Sequence, residues 1–186
     1  MRPFSIPIFR ALFIAIFCLS HAAIAAEQVS TPNKALVKTH IKITQNYETV
    51  QHIKASDVAT MKQASYLIFD IREEKEYAVS HIQNAIWVDP SITASEFYER
   101  FGPQANHKTI ILYCSVGVRS SRLAERLMVG KSENQVVQIY NLESGIFGWH
   151  NESRPLVHAG ESTDYVHPYN RIWGRMVNRK TLRRYK

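Results

Sequence analysis

A chain of 186 residues has room for one domain with extensions, and its 45% apolar content excludes a disordered protein. The formal net charge of +7 is uneven: seven Lys or Arg and no acid lie within 167–186, and two arginines lie in the first ten residues. The stretch between them carries 14 basic and 16 acidic residues, so the basic character belongs to a tail and not to the folded part.

At the start of the chain, Arg2 and Arg10 are followed by an uncharged apolar run over 11–19 and by Ala23-Ile24-Ala25, small residues where a signal peptidase reads. Residues 1–25 are expected to be a signal peptide that directs the protein out of the cytoplasm, into the periplasm. The run is short against the roughly 20 residues that span a bilayer, which argues against an uncleaved anchor. Cleavage after Ala25 removes Cys18 and leaves Cys114 as the lone cysteine. Such a thiol in an oxidising compartment is either buried and inert or reactive.

Residues 26–46 are polar without a strong period and read as a linker or loosely held arm; the domain proper is expected over 47–158. Ser56-Asp57 offers an N-cap to a short helix over 56–63. The nearly continuous apolar run over 66–71 fits a strand buried on both faces. A charged, helix-favouring segment over 73–79 precedes a short strand over 85–88. Thr93 and Glu96 fit a capping box for a helix that Gly102-Pro103 should end near Phe101.

A central strand over 109–113 leads into Cys114, and a helix is expected over 120–128, closed by Gly130. A strand over 135–140 and a short helix over 144–149, with Trp149 in the core, lead to a domain end near Arg154-Pro155. Strands alternating with helices predict an α/β fold: a mainly parallel central sheet with helices on both faces.

The chemistry concentrates in Cys114-Ser115-Val116-Gly117-Val118-Arg119-Ser120. A thiol where a buried strand ends and a helix begins stands at the usual ligand position of α/β sheets. The helix start offers free N–H groups and a positive dipole end, which favour an anion and hence the nucleophilic thiolate. Gly117 permits a tight turn, and Arg119 adds a planar fork of donors suited to an oxyanion. A buried structural cysteine is the competing explanation.

This loop resembles the active-site loop of rhodanese-domain proteins. Phe69-Asp70-Ile71-Arg72-Glu73 with Ser80-His81-Ile82-Gln83-Asn84-Ala85 resembles the family's amino-terminal signature, and Gly145-Ile-Phe-Gly-Trp149 with Arg154-Pro155-Leu156 its carboxy-terminal one. Ser80 and Ser144 stand where the family often has glycine. The resemblance implies a sulfurtransferase that carries sulfane sulfur as a Cys114 persulfide, from a donor such as thiosulfate to cyanide or a thiol. It implies that N–H groups of Ser115, Val116, Gly117, Val118 and Ser120 cradle the persulfide, that Arg119 orients the donor or helps stabilise the departing anion, and that no cofactor is needed. The histidines show no metal-ligand spacing, so no metal is expected.

Asp70 and Arg72 are candidates for loop support, but a structural ion pair is the preferred assignment. A cysteine phosphatase or arsenate reductase would need Cys-x5-Arg, and here the spacing is Cys-x4-Arg. A non-catalytic or sulfur-relay binding module is the other alternative. In the tail, 159–186, Ile172, Trp173, Met176 and Val177 suggest an amphipathic helix. Its apolar stripe either packs on the domain, the preferred outcome, or contacts an anionic membrane surface. Export argues against a nucleic-acid partner.

Overall fold

Thr109–Tyr113 forms the middle strand, β4, of a parallel sheet in the computed structural model, which describes residues 31–130 and 138–186. Tyr66–Asp70 (β2) and Gln138–Leu142 (β5) flank it; Ile86–Trp87 (β3) and Gln51–Ile53 (β1) form the edges, giving the order β1-β5-β4-β2-β3. Every pairing in this sheet is parallel. All five residues of β4 are buried, because helices cover both faces.

Successive side chains of β4 enter two different cores. Ile111 and Tyr113 join Ile68, Leu142 and Phe147; Ile110 and Leu112 join Phe69, Phe97 and Leu123. Lys34–Asn46 (α1), Ala55–Thr60 (α2) and Gly145–Asn151 (α6) contribute to the first core, with Trp149 in it as expected. Ala94–Ala105 (α4) and Val118–Val129 (α5) contribute to the second. Glu74–Val79 (α3) lies between β2 and β3 in sequence. The fold is the expected α/β one, with a parallel sheet between helical layers.

Several boundaries differ from expectation. Residues 34–46 are a helix and not an arm: the Asn33 side chain accepts from the Ala35 and Leu36 amides, and Leu36 and Ile43 are buried. The helix expected over 56–63 starts at Ala55 behind Lys54, and the Ser56 hydroxyl bonds Asp57 and caps nothing. The capping box of Thr93 and Glu96 forms, but α4 runs through Pro103 to Ala105. The proline removes one N–H bond, which the burial of Phe101 and Ala105 on either side of it offsets. The strand expected over 135–140 is found at Gln138–Leu142, and 135–137 lie outside the described residues, as does the expected signal peptide.

The tail is part of the fold. After a hairpin of Leu156–His158 (β6) and Glu161–Thr163 (β7), Val166, His167 and Val177 are buried. Two single 3-10 turns, Trp173–Met176 and Lys180–Leu182, stand where one amphipathic helix was expected. The stripe is split: Trp173 and Met176 pack on the core while Ile172 is 71% exposed. Asn151 and Asn178 tie the turn to α6, the Asn151 amide donating to Met176 O at 2.8 Å and the Asn178 N–H donating to Asn151 Oδ1 at 2.8 Å. Val166 N–H donates to Leu182 O, and Arg184 N–H to Val166 O.

A chain ending at Tyr165 is therefore expected to melt about 10 °C or more below the full chain, since Val166, Val177 and Trp173 each contribute about 1.5–3 kcal/mol. Calorimetry on both proteins checks this, and an unchanged melting temperature would show that the tail adds nothing to the fold.

Candidate active site

β4 delivers Cys114 to its carboxyl end, and only Ser115, Val116 and Gly117 separate it from α5. The helix begins at Val118, two residues earlier than expected, because Gly117 adopts φ +107° and turns the chain sharply. Its N–H donates to Cys114 Sγ at 3.2 Å. The first-turn N–H groups of α5 lack intrahelical partners and point the positive end of the helix toward this site. Cys114 is 1% exposed.

The other side of the loop is held by α6. Ile146 N–H donates to Cys114 O at 2.9 Å and Phe147 N–H to Ser115 O at 3.1 Å. Gly145 makes this approach feasible: a Cβ there would lie 2.3 Å from Cys114 O, and its φ of +55° also favours glycine. The Gly145-Ile146-Phe147 signature is thus the clamp on the loop's carbonyls.

The central ionic element was not among the residues singled out from the sequence. Glu76, on α3, is fully buried. Its carboxylate accepts from the Ser115 hydroxyl at 2.8 Å and from Arg119 at 2.9 and 3.2 Å, and Arg119 also donates to Ser115 Oγ at 3.0 Å. Burial alone would push the Glu76 carboxyl up, but the Arg119 bonds and charge, with Arg72 and Ser115, hold it below its ordinary value. Burial likewise opposes the charge on Arg119, and the Cys114 sulfur and Glu76 more than restore it. The one sequence signal for Glu76 is its capping-box spacing from Glu73, whose N–H donates to Glu76 Oε2 at 3.1 Å.

Asp70 and Arg72 form a buried ion pair, the preferred assignment. Arg72 NH2 lies 2.6 Å from Asp70 Oδ2 and also donates to Ser80 O at 2.6 Å. Neither makes a hydrogen bond to 114–120; their effect on the loop runs through α3, whose end at Ser80 they hold and which carries Glu76. Ser80 is buried in place of the glycine common in the resemblance.

The remaining loop residues divide. Val116 and Val118 line the space beside the sulfur, whereas the Ser120 hydroxyl turns away and donates to Asn141 Oδ1 at 2.6 Å. The Asn141 amide meets His52 Nδ1 at 3.1 Å. Burial, then the His40 charge, lowers His52 to about 4, so it is neutral at ordinary pH and its Nδ1 accepts this bond. The space beside Cys114 is about 190 Å³, is open to solvent on one side, and is bordered by Tyr169 and Trp173 of the tail. The Tyr169 ring lies 5.1 Å from the Arg119 guanidinium.

The family model for the rhodanese-like domain matches residues 45–152. The chain belongs to the rhodanese-like domain family. A tRNA uridine(34) hydroxylase from Buchnera aphidicola is 30% identical over 119 residues, which are 60% of this chain and 35% of that one. This chain thus spans about a third of the length of the hydroxylases it matches. Thiosulfate sulfurtransferase GlpE from Coxiella burnetii is 24% identical over 103 residues, 55% of this chain and 87% of that one. The solved thiosulfate sulfurtransferase from Pseudomonas aeruginosa shares the fold, with a TM-score of 0.52 and 19% identity over 70% of this chain and 24% of that one. Tyr169 and Trp173 lie beyond the stretch that the rhodanese-like model matches.

Glu76→Ala leaves Arg119 without its buried partner and is expected to cost on the order of 3 kcal/mol at neutral pH. A carboxyl held below its ordinary 4.5 contributes fully above that value and loses its contribution as pH falls through the lowered one. The stability gap between wild type and variant should therefore narrow in acid. Denaturant unfolding between neutral pH and about pH 3 measures it, and a constant gap would reject the clamp.

Proposed function

We propose that this rhodanese-like protein is a sulfurtransferase that moves sulfane sulfur from a donor such as thiosulfate to a thiol or cyanide through a Cys114 persulfide. The observation that carries the proposal is the seat of the Cys114 sulfur: at the start of α5, 3.2 Å from the Gly117 amide, with Arg119 beside it. In the first step the Cys114 thiolate attacks the outer sulfur of thiosulfate; the S–S bond of the donor breaks, its electron pair leaves with sulfite, and Cys114 holds a persulfide. In the second step an acceptor thiolate or cyanide attacks that outer sulfur, and the thiolate of Cys114 returns.

Both steps keep one negative charge at the same place, where loop and helix amides stabilise it. We assign Arg119 a part other than the expected one. Its guanidinium is committed to Glu76 and Ser115, so its part is to hold the loop and add a positive field, rather than to grip the donor. The spacing of four residues between Cys114 and Arg119 supports a cradle for one sulfur atom over the wider one of a cysteine phosphatase. The chemistry requires no metal and no organic cofactor. The partners proposed are a small sulfur donor and a thiol, without nucleic acid, in an exported protein. The basic tail offers a membrane surface its arginines, while Trp173 faces the domain.

Incubation with thiosulfate should add one sulfur, about 32 Da, to the intact protein, and Cys114→Ser should abolish this while leaving the melting temperature within a few degrees of wild type. Intact-protein mass spectrometry reads the outcome. The same mass gain on the serine variant would sink the assignment of Cys114, and no gain on either protein favours a binding module instead.

A further inference from the structure

The tail segment that borders the Cys114 pocket is built as a fixed wall. It is anchored on one side by buried Val166 and His167 and on the other by buried Val177. Between them the chain turns at Tyr169, whose φ of +62° is unfavourable for a residue with a large side chain and persists only where neighbours impose it. Here His167 Nδ1 accepts from Tyr169 N–H at 3.0 Å, and Asn170 N–H donates to Pro168 O at 2.8 Å. The Asn170 side chain then accepts from the Ile172 and Trp173 amides at 2.9 and 3.0 Å and sets the turn that carries Trp173. Gly174 lies against Pro168, where a Cβ would come within 2.9 Å of the proline ring. Two aromatic rings are thus delivered to the sulfur by a part of the chain that lies beyond the family match.

The pocket they complete does not suit a small dianion. Val116, Val118, Tyr169 and Trp173 make most of its wall, and about 190 Å³ beside the thiol exceeds what a single sulfur needs. Among the described residues, Arg119 is the one charged side chain that lines it. That charge is already met by Glu76 at 2.9 Å, with Glu73 at 3.8 Å and the Tyr169 ring over the guanidinium. A doubly charged donor would lose water there without gaining a free cation, whereas a singly charged donor with an apolar substituent would bury that substituent against the rings.

Resting on the sulfur-transfer reading, we propose that Tyr169 and Trp173 are specificity-determining residues that direct the site to organic thiosulfonates in preference to inorganic thiosulfate. The Cys114 thiolate attacks the terminal sulfur of R-SO2-S−, the bond between the two donor sulfurs breaks, and its electron pair leaves with the sulfinate R-SO2−. One sulfur and one negative charge remain on the Cys114 persulfide, and no oxidant or reductant takes part.

The test compares kcat/KM for benzenethiosulfonate and for thiosulfate on the full chain, with persulfide loading followed by mass spectrometry. The wild type is expected to prefer the organic donor by about tenfold or more, and Trp173→Ala to reduce that preference by about tenfold with a smaller effect on thiosulfate. Trp173→Phe should keep most of the preference, and Ile172→Ala, on an exposed neighbouring side chain, should keep all of it. Tyr169→Ala, on a ring that is 41% exposed, provides the same comparison if Trp173→Ala does not fold. Equal use of the two donors by the wild type, or variants that lower both rates in proportion, would overturn the proposal while leaving sulfur transfer in place. Failure of both donors to load sulfur would overturn the sulfur-transfer reading and this proposal with it.

Discussion

A carboxylate taken out of water costs several kcal/mol unless its charge and its lone pairs are met inside the protein. Glu76 satisfies both demands with groups from the active loop: the Ser115 hydroxyl and the Arg119 guanidinium, with the Glu73 amide closing its own helix cap. The cost of burying that charge thereby becomes a constraint on geometry. If Ser115 or Arg119 moved, Glu76 would be left uncompensated, so α3, the loop and the start of α5 are held in one arrangement. The Asp70–Arg72 pair extends the constraint by fixing the end of α3 at Ser80. Two buried ion pairs that make no covalent chemistry therefore decide where the thiol stands.

The loop is held from the opposite side by backbone alone. The carbonyls of Cys114 and Ser115 are occupied by α6 amides, a contact that requires glycine at 145 because any side chain would collide with Cys114 O. With its carbonyls engaged there, the loop can turn amides toward the sulfur, and the left-handed turn at Gly117 brings one of them to it. Ser120 and Asn141 steady the first turn of α5 from behind, and neutral His52 completes that contact. The environment of the sulfur is thus set mainly by fixed dipoles, which would need no reorganisation as charge shifts along the proposed persulfide.

What could be read from the amino acids follows the physics of each feature. β4 was legible because a strand buried on both faces must be apolar throughout. The loop was legible because its demands fall on single positions, a thiol before a turn and a glycine within it, whereas Gly145 stood out only within a resembling signature and its collision with Cys114 O needed the structure. Glu76 was not, because within a charged helical segment a buried carboxylate looks like a solvated one; its burial depends on Arg119, 43 residues away in the chain. α1 looks like an arm in the sequence because only Leu36 and Ile43 are buried, while the exposed Val37 and Ile41 blur its helical period. The tail showed an apolar stripe of helical period, but Pro168, the Asn170 side chain and Gly174 direct it into a turn that splits the stripe.

Neutralising Arg119 has a consequence for how the site divides its work. An unpaired guanidinium beside the thiol would attract any anion and, in the proposed reaction, would also hold the departing sulfite or sulfinate, so that release would slow. Paired with Glu76, it keeps its positive charge beside Cys114, while on the proposed reaction a leaving group meets no unpaired cation among the described residues that line the pocket. On the proposed function, recognition then falls to the apolar lining that remains, Val116, Val118 and the two tail aromatics. On the proposed function, the sulfur chemistry falls to the part of the chain shared with the family, and discrimination among reactants to the segment that follows it. Two tasks that conflict in one charged residue are thereby placed on separate elements, which can vary independently.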